Sequence, residues 1–177
     1  MTQLARDLKA EGKNIISMSA GEPDFDTPQN IKEAAIDAIN RGETKYTAVD
    51  GIDELKQAVI DKFKNDNNLD YEKDNISVAP GGKSIIFNAI FSTINPGDEV
   101  IIPAPYWVSY PDIVKLAGGN PVIIKTSPDN NFKISPDDLE KNITEKTKWL
   151  FINSPSNPTG QVYSKDELIN LAKIIKK

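Results

Sequence analysis

The sequence contains no cysteine and no histidine. Without thiols there is no disulfide framework, no thiol nucleophile and no thiolate metal site. Without imidazole, Ser-His-Asp chemistry and ordinary zinc sites are excluded as well. No apolar run approaches the roughly 20 residues that a membrane-spanning helix needs, and no signal peptide opens the chain, so the expected location is the cytoplasm. Positive charge is in deficit, with 21 Lys and Arg against 26 Asp and Glu and a net charge of −5. That balance argues against nucleic acid or an anionic membrane as a partner. What is present is 177 residues, 38% hydrophobic and 27% charged, the composition of an ordinary globular protein of about one domain.

Helical and strand patterns alternate along the chain. Helices are expected over 1–12, stopped by Gly12; from Pro28, capped by Thr27, to Gly42; over 52–65, burying Leu55, Val59 and Phe63; over 82–94; over 109–117, ended by Gly118-Gly119; from Ser135-Pro136; and from the capping box Ser164-Lys165-Asp166-Glu167 onward. Strands are expected over 14–19, 76–79, 99–102, 121–125 and 148–153. This order predicts βαβ units and an α/β fold with a mainly parallel sheet. Ligands of such sheets bind beyond the carboxyl ends of the strands, so the turns after the strands are the candidate site.

Three of those turns carry suggestive chemistry. Pro80-Gly81-Gly82-Lys83-Ser84 opens a helix, where bare N–H groups and the helix dipole suit a phosphate; the alternative is a plain tight turn. A nucleotide-binding P-loop needs a glycine where Ser77 stands. Pro103-Ala104-Pro105-Tyr106-Trp107 puts an indole at a strand end, either as core or as a plate for a flat ligand. Asn157, between two prolines in the 151–160 stretch FINSPSNPTG, offers one acceptor and two donor hydrogens; the alternative is a proline-rich turn with a local side-chain bond. Together, a phosphate cup, a ring to stack on and an amide for a ring oxygen describe a phosphorylated aromatic cofactor.

At this point the chain resembles the fold-type I, class I aminotransferases that use pyridoxal phosphate, and most of all the bacterial aspartate aminotransferase subgroup. The matching residues are Ser19-Ala20-Gly21-Glu22-Pro23-Asp24-Phe25-Asp26-Thr27-Pro28, Lys45-Tyr46-Thr47 leading to Gly51, Gly81-Gly82-Lys83, Pro105-Tyr106-Trp107-Val108-Ser109-Tyr110 and Asn153-Ser154-Pro155-Ser156-Asn157-Pro158-Thr159-Gly160. They follow the family's order and spacing over almost the whole chain. The resemblance implies that Gly81, Gly82 and Lys83 line the phosphate cup, that Trp107 stacks on the pyridine ring and that Asn157 donates to the cofactor's 3'-oxygen. It implies that Gly21 approaches the substrate α-carboxylate and that Tyr46 reaches the phosphate of a neighbouring subunit in a homodimer. Lys83 matches a position facing a dicarboxylic substrate's distal carboxylate. In relatives the peptides matching Ala104-Pro105 and Asn157-Pro158 are often cis, and at least the second is expected to be cis here.

The resemblance also implies a large-domain sheet in three layers, incomplete in this chain. Residues 1–26 match a small-domain segment and 27–177 the front of the large, cofactor-binding domain. The family's Schiff-base lysine, its pyridine-nitrogen aspartate, the tyrosine partner of the 3'-oxygen and the arginine for the α-carboxylate all lie beyond Lys177, so no catalytic residue is assigned within the chain. The isolated chain is expected to expose an unpaired sheet edge and to turn over nothing. The implied reaction is reversible amino transfer, with L-aspartate and 2-oxoglutarate as the expected pair; aromatic or prephenate-type amino transfer and a non-catalytic phosphate-ligand or interaction module remain alternatives.

Overall fold

The computed structural model describes residues 2–16, 21 and 23–176. The chain divides into two compact units, Met1–Ala48 and Val49–Lys177.

In the first unit, helix α1 (Thr2–Ala10) ends at Gly12, whose φ of 82° supplies the left-handed turn expected of it. Of the strand expected over 14–19, residues 14–16 are irregular and 17–19 lie outside the described residues. Helix α2 (Gln29–Asn40) begins differently from the expectation. Pro28, not Thr27, is its N-cap, and no side-chain cap bond forms. The Pro28 carbonyl accepts from the Ile31 and Lys32 N–H groups at 3.0 and 3.1 Å. Proline is suited to this, because its fixed φ tolerates the extended ψ of a cap and it has no N–H to leave unpaired.

The second unit holds the sheet. Helix α3 (Asp53–Asn67) runs two residues further than the pattern suggested and stops at Asn68, which takes the left-handed conformation with φ 52°. Leu55 is 44% exposed and Val59 and Phe63 are only half-buried, contrary to expectation. The packing partners of α3 are a 3-10 turn at Lys73–Asn75 and the Tyr71 ring, set edge-on to Phe63 at 5.3 Å, which cover part of its apolar face. The buried residue of α3 is instead Lys56. The run 76–79 is not a strand either. Ile76 is extended and buried, but the run joins no ladder among the described residues.

Helix α4 (Gly82–Thr93), strand β1 (Glu99–Ala104), helix α5 (Ser109–Leu116), strand β2 (Asn120–Lys125), helix α6 (Pro136–Asn142), strand β3 (Thr147–Leu150) and helix α7 (Lys165–Ile175) follow. The sheet has the order β2-β1-β3, all parallel, with Val100 opposite Pro121 and Trp149 and Ile101 opposite Val122 and Leu150. Central β1 buries Val100, Ile101 and Ile102 completely. Successive strand side chains point to opposite faces. Val100 and Ile102 therefore pack with Ile90 of α4, Ile94 just past its end, and Ile113 and Val114 of α5, while Ile101 packs with Ile134, Leu139 and Leu171 on the α6–α7 side. These are the three layers of an α/β sheet covered on both faces, and they explain why β1 reads as an unbroken apolar run. Pro103 is tolerated because it lies past the last β1–β3 pair, where one side of β1 needs no donor. β3 is shorter than expected: after one more bond, Phe151 N–H to the Ile101 carbonyl at 2.9 Å, the chain leaves the ladder for the proline-rich turn. The outer edge of β3 borders an apolar groove of about 570 Å³ lined by Ile143, Trp149, Leu150, Ile174 and Ile175. Among the described residues no helix is long and apolar enough to cross a membrane.

Candidate functional site

The first turn is built on a glycine that no other residue replaces cheaply. Gly81 caps α4 with φ 90° and ψ 153°, a region that side chains disfavour. Its carbonyl takes the first bonds of the helix, from the Ser84 and Ile85 N–H groups at 3.1 and 3.4 Å, and Ser84 Oγ donates back to the Pro80 carbonyl at 3.0 Å. The Gly82 and Lys83 N–H groups precede those bonds and have no intrahelical acceptor. A Cβ added at either Gly81 or Gly82 would meet nothing within 4 Å, so the space in front of the helix is open.

The second turn reaches the first. Lys83 Nζ lies 5.1 Å from the centre of the Trp107 ring, within cation–π range. It makes no ion pair among the described residues. Trp107 in turn meets Tyr110 edge-on at 5.4 Å, and Tyr110 stacks on Phe151 at 4.4 Å with 11° between the planes. Burial raises the Tyr110 hydroxyl pKa above its ordinary value. This aromatic chain links the end of β1 to the end of β3.

The third turn shares a small cavity, about 30 Å³, with the second: Pro105 and Tyr106 face Phe132, Asn153, Asn157 and Tyr163 across it. The peptides Ala104-Pro105 and Asn157-Pro158 are cis, as expected, and Ser154-Pro155 is cis as well. Asn153 Oδ1 accepts the Asn157 N–H at 2.7 Å, Ser154 Oγ accepts the Tyr163 N–H at 3.0 Å, and the Gly160 N–H bonds the Ser156 carbonyl at 2.7 Å. The backbone of Asn157 is thus tied down, while its side-chain amide has no partner among the described residues.

Of the residues singled out in the sequence, Gly81, Gly82, Lys83, Trp107 and Asn157 occupy the ends of neighbouring elements of one unit. Gly21 and Tyr46 belong to the other unit, where Tyr46 is wholly exposed. Sequence reasoning assigned no role to Asn153, Phe132 or Tyr163. Asn153 stood in a quoted motif, and its distance of four residues from Asn157 suits a side chain–backbone bond. Phe132 has a φ of 55°, rare for a bulky residue, and nothing in its local pattern signals that. The Tyr163 hydroxyl accepts the Ile134 N–H at 3.0 Å, and burial raises its pKa.

The open start of α4, the Lys83 ammonium over the Trp107 indole and the Asn157 turn thus lie in one unit, the last two at the ends of neighbouring strands of a parallel sheet. The chain belongs to the aminotransferase class I and II family, whose model matches residues 13–177. It is 58% identical over 177 residues, all of this chain and 44% of the relative, to a probable aspartate/prephenate aminotransferase of Rhizobium leguminosarum bv. phaseoli. It is 59% identical over the same 177 residues, 45% of the relative, to the aspartate/prephenate aminotransferase of Nitrosomonas europaea. The crystal structure of an aspartate aminotransferase from Rhizobium meliloti superposes with a TM-score of 0.93 at 50% identity, over 98% of this chain and 44% of that one. The Thermus thermophilus aspartate aminotransferase with maleate does so at 0.95 and 43%, over 99% and 46%. The chain therefore spans less than half the length of the relatives it matches.

Proposed function

We propose that these residues form the phosphate- and ring-binding side of a pyridoxal-phosphate aminotransferase that exchanges amino groups between L-aspartate and 2-oxoglutarate. The observation that carries this reading is the position of Lys83, at the open start of α4 and 5.1 Å over the Trp107 ring. The residues present fit the cofactor: the open space at Gly81 and Gly82 admits a phosphate close to the backbone, the indole offers a flat plate, and the Asn157 amide is free to donate. When bound, pyridoxal phosphate supplies an electron-withdrawing ring that takes up the electron pair released at the substrate α-carbon. The α4 N–H groups neutralise and fix its phosphate. Trp107 would hold the ring plane, Asn157 would stabilise the ring oxygen in its anionic form, and Gly21 would bring its backbone close to the substrate α-carboxylate. Lys83 attracts the distal carboxylate of a dicarboxylic substrate. Tyr46 reaches the phosphate of a second subunit in a homodimer.

Residues 1–26 are assigned to the small domain of the whole enzyme and 27–177 to the large domain, a functional division distinct from the compact units that part after Ala48. The Schiff-base lysine is placed outside the 177 residues, which by themselves are expected to bind cofactor weakly and turn over nothing. A second reading, amino transfer to prephenate, is favoured by the names of the relatives, which couple aspartate with prephenate. The test is the full-length protein incubated with pyridoxal phosphate and assayed with aspartate plus 2-oxoglutarate and, separately, aspartate plus prephenate. Transfer to both acceptors supports both readings, transfer to one supports that one, and a protein that neither binds the cofactor nor transfers an amino group refutes the proposal.

A further inference from the structure

We propose that Lys56 is a positioning residue for the phosphate-binding turn, acting through Asp50 and Val78. The inference rests on the cofactor reading above and concerns residues to which that reading gives no role. Lys56 is the buried charged residue of the described structure, 5% exposed, on a helix whose other charges face solvent. A lysine is taken out of water only at a cost, which a fixed partner offsets. That partner is Asp50, whose carboxylate accepts from Lys56 Nζ and whose pKa the ammonium holds below its usual value.

Asp50 in turn grips the approach to the phosphate turn. Its carbonyl accepts the Val78 N–H at 2.9 Å. Beside it Gly51, with φ 110°, comes so close that an added Cβ would stand 2.8 Å from Val78 Cγ2. Val78 is three residues before Gly81. The ion pair, the Asp50 carbonyl and the close approach of Gly51 therefore act together on the residue that leads into Gly81, Gly82 and Lys83. Neutralising Lys56 frees Asp50 to turn toward water, loosens Val78 and blurs the cup that a phosphate must match, while leaving Trp107 and Asn157 in place.

The test compares two probes on the full-length protein, pyridoxal phosphate and pyridoxal, which differ in the phosphate alone. In Lys56→Met, which keeps the buried stem, the dissociation constant for pyridoxal phosphate is expected to rise by about tenfold or more while that for pyridoxal stays within about twofold. Asp50→Glu keeps both charges and shifts the carboxylate by one methylene; it serves if Lys56→Met does not fold, and is expected to give a smaller loss confined to pyridoxal phosphate. Equal weakening of both probes, or no change in either, overturns the inference. A wild-type protein that binds neither probe overturns the cofactor reading itself, whereas a wild type that binds both with unaffected variants overturns this inference alone.

Discussion

Gly81 and Gly82 are adjacent, both exposed and both facing open space, yet alanine should affect them differently. At Gly82 the backbone is helical, and a methyl group meets nothing within 4 Å. Gly82→Ala should leave apoprotein stability unchanged or raise it by about 0.4–1 kcal/mol, because alanine restricts the unfolded chain. At Gly81 the space is equally open, but φ is 90° with ψ 153°, and forcing a side chain into such a region costs about 1–3 kcal/mol. The two variants should also separate stability from binding. The Gly82→Ala methyl intrudes where a phosphate would meet the α4 N–H groups, so pyridoxal phosphate affinity falls although the fold does not weaken. In Gly81→Ala both fall. Urea unfolding of the full-length apoprotein, paired with absorbance titration by the cofactor, measures both quantities. Equal stability of the two variants would refute the argument that backbone conformation, rather than space, makes Gly81 irreplaceable.

Three further expectations follow from particular contacts. Lys83→Met should lower kcat/KM for aspartate by roughly tenfold to a hundredfold, the worth of about 1.5–3 kcal/mol for a hydrogen bond to a charged group, and leave that for alanine nearly unchanged; equal loss on both substrates sinks the dicarboxylate role. Glu167 accepts from the Ser164 N–H at 2.6 Å and from Lys133 Nζ at 2.9 Å, which together hold its pKa at about 2, below the ordinary 4.5. A depressed folded-state pKa stabilises above the unfolded value and is lost on acidification, so the stability difference between wild type and Glu167→Gln should be constant above about pH 5 and close between about 4.5 and 2; a gap that ignores pH contradicts this. Ile102, fully buried against α4 and α5, should cost about 2–5 kcal/mol on replacement by alanine, read by chemical denaturation of the full-length protein, and a loss under about 1 kcal/mol would place it outside the core.

The parts of the molecule that were legible in the sequence are those whose cause is local. The capping box at Ser164 formed as its spacing implied, with Ser164 Oγ accepting from the Glu167 N–H, and the helix start read at Ser135 proved to be a capping box too, with Ser135 Oγ accepting from the Asp138 N–H. The run 99–102 became the central strand because both of its faces need burial. The run 76–79 has the same apolar look but joins no ladder among the described residues, since strand identity depends on a neighbour that the local pattern does not contain. Lys56 was invisible for a related reason: a lysine in an amphipathic helix reads as solvent-facing, and its burial follows from Asp50 lying across the turn. At the site, the three turns were legible through their unusual residue types, whereas the Asn153 tether, the Phe132 backbone and the Tyr163 bond to Ile134 depend on tertiary placement.

The strand order β2-β1-β3 has a kinetic consequence. The turn bearing Trp107 and the turn bearing Asn157 meet only because β1 and β3 are neighbours, and that pairing closes the chain between Glu99 and Thr147, across α5, β2 and α6. Helices and their caps form from nearby residues, but a parallel pair this far apart must first overcome the entropy of the intervening loop. The turns bearing Trp107 and Asn157 therefore come together through a long-range closure rather than through local structure. Under the proposed cofactor reading, a ligand that bridges them would bind only chains whose sheet is already in register, and its capture would report the completion of the fold.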